Sequence, residues 1–576
     1  MKKLIFGLVA IFGGLMLTHC SPKIDAPASI TITIDTPLEF DGSGDSMEIT
    51  ITCNYPWTAS SNQPWCTVSP DFGPAGTFTL TIMVDADLFA ELVGGGAAPI
   101  ATRADLLDTR IAIITILSNG ASKTISVTQE LQPTPEPAIT MTTAMSGEAS
   151  ILLMGTGMAI IDWGDGSPLE AKTMIFPEET YFTHNYISAT PHTISIYGPN
   201  ITHLICNDHQ LTTLDVSRCS SLTLLYCSNN QLTTLDVSGL AAFRTLRCSN
   251  NQLETLNVSG CPELYYLECS NIQLETLNVS GYVTLQTLRC SNNQLEALDV
   301  SGCTALQTLD CGFNLLETLD VSGCLVLRTL TCWYNQLETL IISGCTALEN
   351  LNCNNNQLTD LDVSGFTALW SLWCGTNQIK TLEMSGCIAL RSLLCNRNQL
   401  ETLDVSGLTA LESLSCDENQ LTTLNLSGLT ALTSLNCGMN PLGTLDVSEL
   451  INLEQLSCRS NQLSELDLTG LTALEYLQCS SNQLTELDLT GLTSLKSLDF
   501  AVNQLEELDV TDCTALEYLH CGYNLLSDAD LDDIFEGLPD RFGLMAAGEI
   551  YIIGNLGAAT TTKDAVATSK NWTITK

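Results

Sequence analysis

Residues 306–326 read L-Q-T-L-D-C-G-F-N-L-L-E-T-L-D-V-S-G-C-L-V, and Leu327 begins the same pattern again. Written as L-x-x-L-x-C-x-x-N-x-L-x-x-L-D-V-S-G-(C/L)-x-x, the unit occurs sixteen times between residues 201 and 527, with a period of twenty-one and no slip. A fixed period of this length marks a solenoid, in which each copy is one turn of chain stacked on the next. Within the copy, Leu309 and Cys311 alternate with polar neighbours, the period of two expected of a strand with one buried face. Leu319 and Val321 close the other side of the turn. No turn can bury its leucines alone, so neighbouring rungs must share one core.

One column of the repeat is cysteine from Cys206 to Cys521, interrupted only by Phe500. Stacked strands would hold successive sulfurs about 4.8 Å apart and pointing the same way, which suits packing better than pairwise bonding. A second column holds Cys261, Cys303 and Cys345, but Leu240, Tyr282 and Phe366 stand in it on other rungs, so it is an apolar filler. With no C-x-x-C and only six histidines, no metal or other cofactor is expected. The asparagine three places after the ladder cysteine, as in Asn356, is expected to turn inward and bond backbone groups that lose their partners where the chain bends. His209 and Ile272 mark the two rungs without it. A further column is acidic, from Asp215 to Asp509; because asparagine and even Ile341 share it, it reads as a solvated stripe rather than a cation site.

These rungs resemble the cysteine-ladder leucine-rich repeats of internalin-type bacterial surface adhesins. The resemblance covers more than half the chain. It implies a curved solenoid that binds host or neighbour-cell molecules rather than transforming them.

Upstream, Lys2 and Lys3 precede an apolar run from Leu4 to Leu17 and then L-T-H-C, ending at Cys20. Residues 1–19 therefore read as a targeting segment. L-T-H-C resembles the lipobox of bacterial lipoproteins, with His19 where the family has a small residue; the resemblance implies lipidation of Cys20, the alternative being a simple signal peptide. After a short tether, residues 20–25, alternating runs over residues 26–131 predict an antiparallel β-sandwich. The stretch from Cys53 to Pro70, with Val127 to Gln129, resembles the BACON domain, a family for which carbohydrate binding has been proposed. Trp57 and Trp65 are candidates to stack on sugar, with core packing the favoured reading, and Cys53 with Cys66 is an open candidate disulfide. A loop of about twenty residues around Gly94 to Asp108 enlarges the pattern.

Residues 132–137, Q-P-T-P-E-P, read as a stiff linker. Residues 138–200 read as a small β module; its I-D-W-G-D-G-S at Ile161 to Ser167 resembles a PKD-like domain, which makes that segment a turn, although Asp162, Asp165, His184 and His192 also have metal-ligand chemistry. The module is placed to cover the open end of the solenoid at residues 201–527. Beyond it, Ser527 with Asp530 is a helix N-cap signature, and Leu531, Ile534, Phe535 and Leu538 share one helical face. Residues 528–576 are thus expected to be a C-terminal cap, with no further domain needed.

The fold class predicted is mainly β: N-terminal sandwich modules, then a leucine-rich-repeat solenoid of about sixteen rungs with a C-terminal cap. The net charge of −43, from 64 acidic and 21 basic residues, repels nucleic acid and anionic membrane surfaces, leaving the lipid anchor as the expected membrane attachment. No G-x-S-x-G, H-E-x-x-H or phosphate loop occurs, so no enzyme is expected. The expectation is a monomer anchored in the cell envelope, exposed at the outer membrane, that binds a glycan, mucin or surface glycoprotein. The alternative is a protein-protein scaffold without sugar recognition.

The candidate ligand site comes from rungs whose outward positions depart from Ser, Thr, Asn or Gly. Phe313, Trp333 and Tyr334 follow their cysteines; Trp370 and Trp373 precede Cys374. Alternation predicts Trp333 and Trp373 on the concave face, about 10 Å apart, flanking Asn350, Asn352 and Asn354. Aromatic faces around a shelf of amides suit a sugar, and Arg391 and Arg397 would meet an acidic group on it.

Overall fold

The computed structural model describes residues 27–34, 38–40, 44–85, 109–130, 136–543 and 546–576. Cys20, the enlarged loop at Gly94 to Asp108 and most of the Pro-rich stretch lie outside the described residues. The chain forms two compact units that divide after Pro135.

The first unit is a β-sandwich. One sheet orders Ile30–Thr33, Asp45–Cys53, Gly76–Val84 and Cys66–Ser69; the other orders Glu39–Phe40, Ala121–Glu130, Thr109–Ser118, Trp57–Ser61 and Phe72–Gly73. Alternation along Asp45–Cys53 sends Ile49, Ile51 and Cys53 inward to meet Leu80, Ile82, Ile114 and Val127. Trp57 lies in this core, so it is not available to a sugar; Trp65 packs against the core with the Arg110 guanidinium 4.3 Å from its ring centre. Cys53 and Cys66 are both buried and both free thiols, which closes the disulfide question.

The second unit is built on a 24-stranded sheet. Its first strands make the N-terminal module, where the long strand Gly147–Asp162 pairs with four others. Among them is Asn200–Ile205, whose other edge pairs in parallel with Leu224–Tyr226. From there three-residue strands follow every twenty-one residues in one register, Leu288, Leu309, Leu330 and Leu351 lying side by side. One buried cluster runs from Ile139 in the module, through every rung, to Trp572. The apolar end of the first rung is covered because the module's sheet is the same sheet. Asp162, Asp165, His184 and His192 do not make a metal site: among the described residues no group of three ligand-type side chains converges. Asp162 and Asp165 instead accept the amides of Gly164 and Ser167 in the turn, and His184 pairs with Asp165 at 2.7 Å.

The cysteines of both columns are buried and unpaired. Burial pushes the Cys206 and Cys269 thiols up to about 12, so the ladder behaves as apolar filling rather than as thiolate chemistry. The asparagines turn inward. Asn356 Nδ2 donates to the carbonyls of Cys332 and Cys353 at 3.1 and 3.0 Å, while its Oδ1 accepts the Leu337 amide at 3.1 Å. One side chain thus clamps two rungs, and the same bonds recur at Asn251 and Asn461. Each such group would cost about 1–3 kcal/mol if its buried partners were left unpaired. On the first of the two rungs lacking the asparagine, His209 Nε2 accepts the Ser150 amide of the module at 2.8 Å, so that exception ties module to solenoid.

The acidic column has a structural duty that its composition conceals. Asp320 Oδ1 accepts the amide of Ser322 at 2.9 Å, and the same bond recurs at Asp404, Asp467, Asp488 and Asp509. These are Asx turns, in which a short side chain satisfies the backbone two residues on. Asn257 serves equally well, at 3.0 Å, which is why asparagine shares the column. The turn then passes through a left-handed residue, Gly302 at φ +77° for example, where glycine has no Cβ to clash.

At the far end the helix Asp528–Gly537 is closed by a reciprocal Ser527–Asp530 capping box and buries Leu531, Ile534 and Phe535. Two further parallel strands, Gly548–Tyr551 and Trp572–Thr575, extend the ladder. Asn555 repeats the clamp, donating to Cys521 and Ile552 carbonyls at 2.9 Å and accepting the Asn524 amide at 3.0 Å. The signal was present in Ile550-x-Ile552-x-x-Asn555, the rung pattern with isoleucine for leucine and cysteine.

Candidate functional site

Each ladder strand turns its middle residue inward and its first and third outward, so the sheet face is a set of straight columns with one side chain per rung. At the N-terminal rungs the third column is Tyr226, Arg247, Glu268, Arg289, Asp310. The Arg247 guanidinium lies 4.6 Å from the ring centre of Tyr226 and 4.9 Å from that of Tyr266, with Nε 3.5 Å from Glu268. Arg247 is thus held among its neighbours.

The aromatic group begins on the rung of Asp310. Phe313 and Tyr334 occupy the column two places after the cysteine, where the backbone is left-handed, at φ 53° and 49°. The equivalent positions 292 and 355 are asparagine, which tolerates that region; a phenyl or phenol ring there costs about 1–2 kcal/mol of backbone strain. The two rings stack at 4.6 Å with planes 7° apart, and Trp333 meets them edge-on at 4.6 and 5.3 Å. They remain open to solvent, Phe313 at 38 % and Tyr334 at 48 % of their surface. Leu315, two residues on, is also exposed.

The other predicted residues do not join them. The Trp333 indole lies over Gly312 of the preceding rung, within 2.4 Å of where a Cβ would stand, whereas Trp373 leans the other way and donates Nε1–H to Ser392 Oγ at 3.3 Å. The two indoles therefore turn apart instead of flanking one shelf, because each ring settles on whichever neighbouring rung has a small residue. Trp373 is 40 % exposed and Trp370 sits in the column just before the strands. Asn350, Asn352 and Asn354 lie half-buried between them; Asn354 Oδ1 accepts the Gly375 amide at 2.6 Å and Asn352 Oδ1 the Asn354 amide at 3.2 Å. Arg391 and Arg397 are engaged with Glu412 and Glu418 of the next rung, at 2.6 and 3.0 Å. Strand alternation legibly set which residues face outward; which rung a ring leans toward depends on its neighbours' sizes.

Elsewhere the last rungs and the C-terminal helix enclose an acidic groove of about 850 Å³ lined by Asp467, Asp488, Asp509 and Asp533. Among the described residues no helix is long and apolar enough to cross a membrane.

Residues 283–323 match the family model described as Leucine Rich repeats (2 copies), and residues 29–94 match the Viral BACON domain. The functional domain of InlJ from Listeria monocytogenes, which includes a cysteine ladder, is 30 % identical over 64 % of this chain and 77 % of that one, with a TM-score of 0.49. The leucine-rich-repeat protein LIC12759 of Leptospira interrogans is 24 % identical over 57 % of this chain and 92 % of its own, with a TM-score of 0.52, a likeness of fold. YopM from Yersinia enterocolitica is 24 % identical over 62 % and 87 %, with a TM-score of 0.42. None of the curated proteins compared with the chain matches it.

Proposed function

The chain belongs to the leucine-rich-repeat proteins and carries a BACON domain ahead of its solenoid, and on that footing we propose that it is a lipid-anchored surface binding protein. Its solenoid takes a glycan or glycoprotein on the aromatic group Phe313, Trp333 and Tyr334. The observation that carries this reading is the exposed, stacked Phe313–Tyr334 pair with Trp333 edge-on to it, a contiguous aromatic patch on neighbouring rungs. Such patches mark binding surfaces. Trp370, Trp373 and the Asn350, Asn352 and Asn354 side chains would border the contact on the following rungs, with Arg391 and Arg397 beyond them.

The test uses residues that neighbouring rungs already carry at the same places. Phe313→Asn, Tyr334→Asn and Trp333→Gly, combined, should leave the fold intact and reduce binding to mucin by about tenfold or more. Unchanged mucin binding would move the function to another surface. Exposed Leu315 beside Phe313 favours the second reading, a protein partner without sugar recognition; equal binding to deglycosylated mucin, lost in the same variant, would select it. The anchor rests on L-T-H-C and is tested separately. Cys20→Ala should shift the protein from the membrane to the soluble fraction, and continued partition with lipid would remove lipidation from the account.

A further inference from the structure

We infer that the sheet face between Ser413 and Asp499 is a second binding site, and that its ligand is an extended neutral polysaccharide lying along the ladder. Here the outward columns shrink, and a concavity of about 880 Å³ opens over the strands from Ser413–Ser415 to Ser497–Asp499. The first column reads Ser413, Ser434, Gln455, Tyr476, Ser497, and among the described residues none of these side chains has a hydrogen-bond partner within the protein. The third column over the same rungs is partly engaged, Ser415 Oγ donating to Asp417 at 2.6 Å and Ser457 Oγ to Gln478 at 3.3 Å, so the open hydroxyls and amide are those of the first column.

The chemistry of the lining selects the ligand. Among the described residues the charged groups lining the concavity are Arg459 and Asp499, one of each sign, in a chain whose net charge is −43. A cation would be drawn to the acidic groove at Asp467 and Asp488 instead. Serine hydroxyls and glutamine amides each donate and accept, as sugar hydroxyls do at every residue of a glycan. The backbone N–H and C=O groups of these strands are spent on the ladder, so an extended peptide finds no edge to pair with. Tyr476, 44 % exposed, offers a ring face for the C–H side of a pyranose. The rung spacing, about 4.8 Å, is close to the length of one sugar in an extended chain, so one set of contacts recurs from rung to rung. Leu394 lines one end of the concavity, and beyond Asp499 the Tyr518 and Tyr551 rings lie 5.6 Å apart.

The experiment takes the full chain against galactomannan, arabinoxylan and a mixed-linkage β-glucan, with carboxymethylcellulose and oligolysine as charged contrasts, by affinity electrophoresis and calorimetry. Ser434→Tyr fills the concavity with a side chain the same column already holds at Tyr266, Tyr476 and Tyr518, so the fold is kept. At least one neutral polysaccharide should bind, Ser434→Tyr and Tyr476→Ala should each weaken it about tenfold, and the Phe313→Asn, Tyr334→Asn variant should bind it as the parent does. The inference is overturned if none of the three neutral polysaccharides binds, if Ser434→Tyr binds undiminished, or if oligolysine binds and Ser434→Tyr abolishes that instead. It stands or falls apart from the aromatic group, whose own variants are scored on mucin.

Discussion

Two stretches of one sheet face, Tyr226 to Asp310 and Ser413 to Asp499, lie over the same interior of leucine, cysteine and asparagine, yet present different side chains to solvent. The first carries rings and charges, with Arg247 held between Tyr226 and Tyr266 and against Glu268. The second has small hydroxyls and an amide over a concavity, its third column partly bonded within itself and its first column open. Rung stability and surface chemistry are therefore separable: the clamp that stacks the rungs is inside, and the face is free to differ.

The sharpest way to break that comparison is to cut the clamp beneath each stretch. Asn251→Ala and Asn461→Ala should each cost about 2 kcal/mol in chemical denaturation, and equally; a clear inequality would mean that the face contributes to stacking. Next in size, Arg247→Ala should cost about 1 kcal/mol by removing the sandwiched cation, whereas Ser434→Ala should stay within about 0.5 kcal/mol. A Ser434→Ala cost matching that of Arg247→Ala would show that Ser434 is held by its neighbours as Arg247 is.

The smallest effect concerns the Asx turns that both stretches share. Hydrogen bonds from Thr469, Thr490 and Thr511 hold Asp467, Asp488 and Asp509 below the usual carboxylate range. A group with its folded pKa depressed contributes stability that is fully present above the unfolded value, about 3.9, and lost as pH falls through the folded one. In high salt, which screens the net charge, Tm should therefore drop below about pH 4. Asp467→Asn, Asp488→Asn and Asp509→Asn together keep the acceptors and remove the titration, so the drop should be smaller. An identical acid profile would sink the account.

The interior was legible because the repeat states it sixteen times: Leu309 and Cys311 inward, Asn356 turned to the backbone, and Ser527 and Asp530 capping a helix. The Asx role of Asp320 was within reach too, since asparagine in the same column points to an acceptor rather than a charge, and Asn555 announced a further rung. Other features had no sequence signal. Trp333 and Trp373 turn apart because Gly312 and Ser392 happen to be the small neighbours, and Arg391 meets Glu412 only because the register brings position 412 alongside.

The sequence by itself determined the period, the strand faces, the buried columns and the side chains each rung shows, because every rung sees the same neighbours and local alternation repeats without exception. Only the tertiary structure decided which exposed side chains satisfy one another and which are left open. That outcome depends on contacts between residues twenty-one positions apart, whose sizes and charges the period does not constrain.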